Sequence, residues 1–195
     1  MPDFVYGTLI HYDDFRKNYE MISDSEPDSI SEDEVNKAMA LAAMKAKGEQ
    51  VNEAIKQLNG MKDDKGKGVS TRVMLYNGLG IPLKFRGKHD DHGRWSENTL
   101  ADRIEVGQWS IGFHHKTPRA ASGSCAVLTF DLLGYGNDDV LLVGFKTPWG
   151  SSKCTALGQV ILASTDRKMS WDEKMDWVQK SNDGGTKTFG RESIL

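Results

Sequence analysis

The chain has 195 residues, 27% of them charged, and a formal net charge of −3. That balance, with no Arg-rich stripe, excludes a global basic field for nucleic acid, and no window approaches the roughly 18 apolar residues of a membrane-spanning helix. The start, MPDFVYGTLIHYDD, has neither a basic region nor a continuous apolar one, so no secretory signal is read and the cytoplasm is the expected location.

In chain order, Phe4–Ile10 alternates like a short strand or extended arm. Asp13–Met21 begins a short helix with Asp13 or Asp14 as its N-cap. Ser23–Ser31 is acidic, serine-rich and interrupted by Pro27, the composition of an exposed connector. Ser31 followed by Glu34 fits a capping box, in which hydroxyl and carboxylate satisfy free backbone donors at a helix start. Val35, Met39, Ala42, Ala43 and Ala46 then recur at helical spacing, and Val51, Ile55 and Leu58 resume it. Gly48 weakens the middle by about 1 kcal/mol relative to Ala, which predicts a break there. Gly60–Gly68 (GMKDDKGKG) reads as a linker. Residues 1–68 therefore form an N-terminal arm and helical extension, and 69–195 a β domain, the two expected to pack as one unit.

Val73–Tyr76 is a strand, and Asn77-Gly78 is a hairpin-type turn signal. Pro82 precedes the strand Leu83–Arg86 and suggests an edge position. Lys88–Asn98 (KHDDHGRWSEN) is polar and turn-rich, which predicts a surface loop, and Leu100–Val106 has strand character. Gln108–Phe113, Cys125–Leu133 and Val140–Phe145 then alternate with Gly, Ser, Asn and Pro clusters, the pattern of consecutive antiparallel strands. Thr147-Pro148-Trp149-Gly150 closes that series on an aromatic turn. Ala156–Ser164 is a further strand. Ser170 and Glu173 form a second capping-box pattern, opening a helix to Lys180 whose Trp171, Met175 and Val178 share one face. The tail from Ser181 reads as a loop. The fold class is mainly β: an antiparallel sandwich of six to eight strands with an N-terminal helical extension and a short C-terminal helix.

Several of these stretches carry a family likeness. YNGLG (76–80), HDDHG (89–93), IEVGQW (104–109), FHHKT (113–117), ASGSCAVLTF and TPWG, in that order and spacing, resemble the small jasmonate-induced proteins of plants, the twenty-three-kilodalton class. The likeness runs over roughly Phe4 to Ala163 and implies a stress or defence role with no established reaction. GSCAVLTFDLL followed by FKTPWGSS also resembles, over a shorter stretch, the aegerolysins, lipid-binding β-sandwiches related in shape to actinoporins. That resemblance implies a sandwich with a Trp-bearing loop at one end and recognition of membrane lipid head groups. The N-terminal helices and the His-rich loop have no counterpart there, so no lipid specificity carries over.

Four histidines fall in a short span: His89, His92, His114 and His115. Neutral imidazole is a common ligand of zinc and copper, and His89, His92 and His114 could form such a site if the loop and strand lie together. Strand geometry sends His114 and His115 to opposite faces, so at most one joins. The same residues offer acid–base chemistry, His92 or His114 with Asp90 or Asp91. No nucleophile elbow, phosphate loop or dinucleotide fingerprint accompanies them. Ser122 and Ser124 are candidate nucleophiles; Cys125 opens an apolar run and reads as buried and inert, and a disulfide with Cys154 is not indicated. No cofactor is expected. The favoured expectation is a non-catalytic protein that binds a lipid head group, a glycan or a small metabolite through end loops, with peripheral membrane contact. Trp149, Trp95, Arg94 and His92 are its expected ligand-binding residues, because exposed aromatics with a polar edge suit membrane interfaces and sugars. The oligomeric state is left open.

Overall fold

The computed structural model describes residues 5–22, 30–48, 50–65, 68–97, 100–134, 139–150, 155–161, 166, 168–180 and 187–189. Two sheets face each other, and each is backed by a helix. The smaller sheet centres on β6 (Gln108–His115), which pairs with β2 (Ser70–Tyr76) along one side. Two short strands share its other side, β1 (Val5–Gly7) near its start and β4 (Arg94–Trp95) near its end. The larger sheet runs β10-β9-β8-β7-β3-β5, built from β3 (Leu83–His92), β5 (Arg103–Ile104), β7 (Ser124–Leu132), β8 (Val140–Thr147), β9 (Thr155–Ile161) and β10 (Lys187–Phe189). Among the described residues, only the β10–β9 pair is parallel.

Strand alternation divides the core into layers. Between the sheets lie Leu83, Ile104, Leu128, Phe130 and Leu132, with Val73, Ala126 and Phe145 at the other end of the interface. Residues one step along point outward. On β6, Ile111 and Phe113 meet Ala54 and Leu58 of helix α3 (Val51–Lys65). On β7 and β8, Cys125, Val127 and Leu142 meet Met175 and Val178 of helix α4 (Trp171–Lys180). Burial on both faces is why β6 and β7 read as continuous apolar runs. Each such fully buried large apolar side chain contributes about 1.5–3 kcal/mol.

Helices α1 (Tyr12–Ile22) and α2 (Glu32–Ala46) form a further cluster, in which Val35, Met39 and Ala43 pack with Ile30 and with Val106 from the chain entering β6. Ser31 caps α2 through the expected box, the Glu34 amide donating to Ser31 Oγ and the Ser31 amide to Glu34 Oε2. Ser170 and Glu173 repeat the device on α4. Helix α4 is also held by charge. Asp166, 6% exposed, accepts from Arg86 at 2.6 Å and forms an ion pair with Lys174 at 2.5 Å. It sits close to the sheet because β8 offers no side chain at Gly144, where a Cβ would lie 2.1 Å from Val178 Cγ2.

Several expectations need correcting. The hairpin predicted at Asn77-Gly78 is a crossover: β2 and β3 belong to different sheets. Buried Asn77 holds it, its amide donating to the carbonyls of Ile81 and Ile104 and its oxygen accepting from the Leu79 amide. The surface loop predicted at Lys88–Asn98 is largely strand, since β3 continues to His92 with bulges between Phe85 and Gly87 and between Asp90 and His92. Its polar composition reflects an outer face and a sheet end rather than absence of pairing. Of Gly60–Gly68, residues 60–65 are the last turns of α3, and Gly60 faces open space. Ile55 is 42% exposed, because the smaller Ala54 takes the contact with β6. The edge expected beside Pro82 is taken by β5, the part of Leu100–Val106 that forms a strand. Asp13 and Asp14 lie inside the first turn of α1 instead of capping it. Gln108–Phe113 pairs in the other sheet from the two strands that follow it, and part of the tail forms β10. Residues 23–29 and Cys154 lie outside the described residues. Four pieces of two or three residues raise the strand count to ten among the described residues.

Candidate functional site

One end of the sandwich gathers the ends of β3, β6 and β8 and the starts of β2, β4 and β7. The loop from Lys116 to Gly123, joining β6 to β7, crosses this end and has a cleft on each side. The first cleft, about 410 Å³, lies on the larger-sheet side and is lined by Asp91, His92, Ser122, Lys146, Trp149 and Gln179 among others. Trp149 sits on the turn after β8 and is 52% exposed. Pro148 before it and Gly150 after it (φ +74°) shape that turn. Gln179 donates to Asp91 Oδ2 at 2.7 Å, tying α4 to the end of β3. The Ser122 hydroxyl is buried and has no hydrogen-bond partner among the described residues. The Cys125 thiol is pushed up to about 11 by burial and by Asp91, against a smaller opposing effect of Lys146. It therefore stays protonated at neutral pH, free of any disulfide, and contacts Met175 Sδ at 3.6 Å.

Behind this cleft a polar chain joins the two sheets. Thr71 Oγ1 lies 2.8 Å from both Thr147 Oγ1 and Ser124 Oγ, and Ser124 Oγ lies 2.8 Å from His114 Nδ1. His114 Nε2 faces Asp90 Oδ1 at 3.4 Å, long for a hydrogen bond, and the Trp95 indole donates to the same oxygen at 2.8 Å. A carboxylate only accepts, so the imidazole proton belongs on Nε2, and Nδ1 accepts from the Ser124 hydroxyl. Serine, histidine and aspartate thus meet in the order of a nucleophilic triad. Ser124 and His114 are both 0% exposed, however, and are packed under Trp95 and Phe145. No substrate atom reaches Ser124 Oγ, so the arrangement fastens one sheet to the other.

Burial pushes the Asp90 carboxyl up, but His114, the Trp95 indole and Lys88 outweigh it, leaving the group below its ordinary 3.8. A depressed folded value contributes stability that is present above the unfolded value and lost as pH falls through the folded one. Wild type should therefore lose stability below about pH 4 through this group. The thermal-midpoint gap between wild type and Asp90→Asn is expected to narrow between about pH 5 and pH 3. A gap constant across that range would deny Asp90 this role.

The residues expected to bind ligand are separated. His92 and Trp149 share the first cleft. Trp95 is half-buried between the sheets, edge-on to Phe145 at 5.6 Å. Arg94 lines the second cleft, on the other side of the loop. The histidines expected to hold zinc or copper are likewise divided. His89 and His92 point from β3 toward the α4 side, His89 stacking on Trp171 at 5.9 Å, whereas His114 points between the sheets. Among the described residues no three His, Cys, Asp or Glu side chains are grouped to hold a metal ion. Of the acid–base pairs, His114 with Asp90 is assembled. His92 and Asp91 are also adjacent at the exposed rim, His92 Nδ1 lying 3.6 Å from Asp91 Oδ1 and 2.8 Å from the Asp91 carbonyl. Thr71, Thr147 and Gln179 were missed, since each is a lone polar residue in an ordinary strand or helix pattern and only the register brings them here.

Two facing sheets, each backed by a helix and open to clefts at one end, define a helix-flanked β-sandwich. The chain belongs to the Nakanori-like protein family, whose model matches residues 6–193. The crystal structure of the lipid binding protein Nakanori shares the fold, with a TM-score of 0.77 at 23% identity over 96% of this chain and 89% of that one. The 23 kDa jasmonate-induced protein of Hordeum vulgare is 31% identical over 91 residues, 47% of this chain and 43% of that protein. The chain thus matches under half the length of that relative, and the likeness read from the motifs is upheld. Among the described residues no helix is long and apolar enough to cross a membrane.

Proposed function

We propose that the protein is a non-catalytic, defence-type lipid-binding protein that meets a lipid head group at the sandwich end bearing Trp149. The observation that carries this reading is the half-exposed Trp149 on its Pro-Trp-Gly turn, at the rim of a cleft with polar groups to spare. An indole is suited to the membrane–water boundary, with an apolar body and a polar edge. His92, Lys146 and Gln179 supply donors and acceptors for the polar part of a ligand. The lipid-binding name of the fold neighbour agrees with this reading. A stress- and hormone-responsive role in a plant fits the jasmonate-induced relative.

Co-sedimentation with vesicles of varied composition tests it. Wild type is expected to pellet in a composition-dependent way, and Trp149→Ala to weaken binding on the order of tenfold, the loss of one anchoring aromatic. Failure to pellet on any composition would overturn the lipid reading and leave a glycan or small metabolite for the same cleft.

A further inference from the structure

The second cleft at this end has a different chemistry. It measures about 300 Å³ and its lining carries Lys62, Lys65, Arg94, His115, Lys116 and Arg119 with no carboxylate among the described residues. Five fixed positive charges thus converge in a protein whose formal net charge is −3. They come from three separate parts of the chain: the last turn of α3, the short strand β4, and the end of β6 with its following loop.

Ordinary structural reasons account for only part of this. Lys62 and Lys65 complement the carbonyl end of α3, and Lys62 Nζ also donates to the Gly68 carbonyl at 2.7 Å. Lys116 Nζ donates to the Ala120 carbonyl at 3.1 Å. Among the described residues, none of the four lysine and arginine side chains at 65, 94, 116 and 119 forms an ion pair with a carboxylate. Arg119 holds a left-handed backbone, φ +66°, a conformation that costs a side-chain-bearing residue free energy. Its side chain lines the cleft. His115 stacks on Phe113 at 6.1 Å and bonds through Nδ1 to the Lys116 carbonyl at 3.0 Å, forming the floor. Burial lowers its pKa, the Lys116 carbonyl opposes this, and Arg94 and Lys65 add to the lowering, so the cleft's positive field registers on a neighbouring group.

We propose that this cleft is an anion site for a phosphomonoester. A monoester carries a charge between −1.5 and −2, roughly, with three acceptor oxygens, and guanidinium forks from Arg94 and Arg119 match it bidentately. A diester, with one charge, would leave most of these cations unanswered. The monoester is either free in solution or carried on a lipid head group. The site does not depend on the Trp149 reading, because the loop Lys116–Gly123 separates the two clefts.

The test uses the full chain and two probes. Inorganic phosphate is titrated against chloride at matched ionic strength while the thermal midpoint is followed. Phosphatidylcholine vesicles doped with phosphatidic acid, which bears a monoester, are compared with vesicles doped equally with phosphatidylserine, which does not. Phosphate is expected to raise the midpoint, and phosphatidic acid to pellet more protein than phosphatidylserine. Both effects should fall at least severalfold in Arg94→Gln/Arg119→Gly. Arg119→Gly alone relieves the left-handed backbone, so it controls for folding and should still weaken the phosphate response. A response to phosphate without the vesicle preference assigns the site to a soluble ligand; the vesicle preference alone assigns it to a membrane one. No response to either probe, or responses unchanged in the double variant, overturns the proposal. A change at Trp149 should leave the phosphate response intact, which separates this test from that of the lipid reading.

Discussion

Replacing His114 with alanine is expected to cost about 3–5 kcal/mol of folding stability, read from urea unfolding followed by circular dichroism. The ring is 0% exposed and lies edge-on to Trp95 and Phe145, so its removal opens a cavity between the sheets. It also removes the ring acceptor of the Ser124 hydroxyl and takes the imidazole away from Asp90, which keeps the Trp95 indole and the nearby Lys88. His114→Phe separates the two contributions, because it keeps most of the volume while removing both nitrogens. The phenylalanine variant should recover part of the loss, and what remains measures the polar chain. A loss below about 1 kcal/mol in the alanine variant would show that the sheets are held by their apolar contacts alone.

The second large effect concerns Gly80, where the crossover from β2 to β3 passes α2. Its φ is +77°, and a Cβ there would lie 2.0 Å from the Asn36 carbonyl oxygen, a backbone atom that cannot swing away. Gly80→Ala should therefore cost about 3 kcal/mol or more, the left-handed backbone and the displacement of α2 acting together. Gly60→Ala is its counterpart of opposite sign. That glycine lies inside α3 with open space where its Cβ would be, and alanine should stabilise the protein by about 1 kcal/mol. Unfolding midpoints of the two variants should move in opposite directions from wild type, and a shared direction would contradict the packing described for both.

Local chemistry was legible wherever a residue's neighbours in sequence are also its partners. Ser31 with Glu34, and Ser170 with Glu173, reach each other across three residues, so both helix starts could be read directly. The break near Gly48 and the exposure of Trp149 between Pro148 and Gly150 belong to the same kind. Pairing was not legible. Asn77-Gly78 has a hairpin's composition, yet which strand β2 accepts is decided by the apolar faces of β6, thirty residues on. His89, Asp90 and His92 looked like one polar group because sequence hides the alternation of a strand and its bulges. Once β3 is paired with β7, Asp90 turns inward to His114 while His89 turns out to Trp171. The basic cleft escaped notice for a related reason: its cations are spread from Lys62 to Arg119 and meet only through tertiary structure.

Strand β1 has a consequence for how the protein is made. Val5–Gly7 pairs with Gln108–Ser110, and α1 and α2 pack on Val106, so these elements find their partners only about 60 to 100 residues later in the chain. At about 5–20 residues per second, β1 and the apolar faces of these helices wait on the order of 3–20 s for β6 to emerge. Closing so long a loop before any contact rewards it also makes the smaller sheet slow to nucleate. The larger sheet, by contrast, joins β7, β8 and β9 in succession through neighbouring antiparallel pairs. Synthesis order and assembly order therefore run in opposite directions, and β1, made well before its partner strand, is among the last parts to be locked in place.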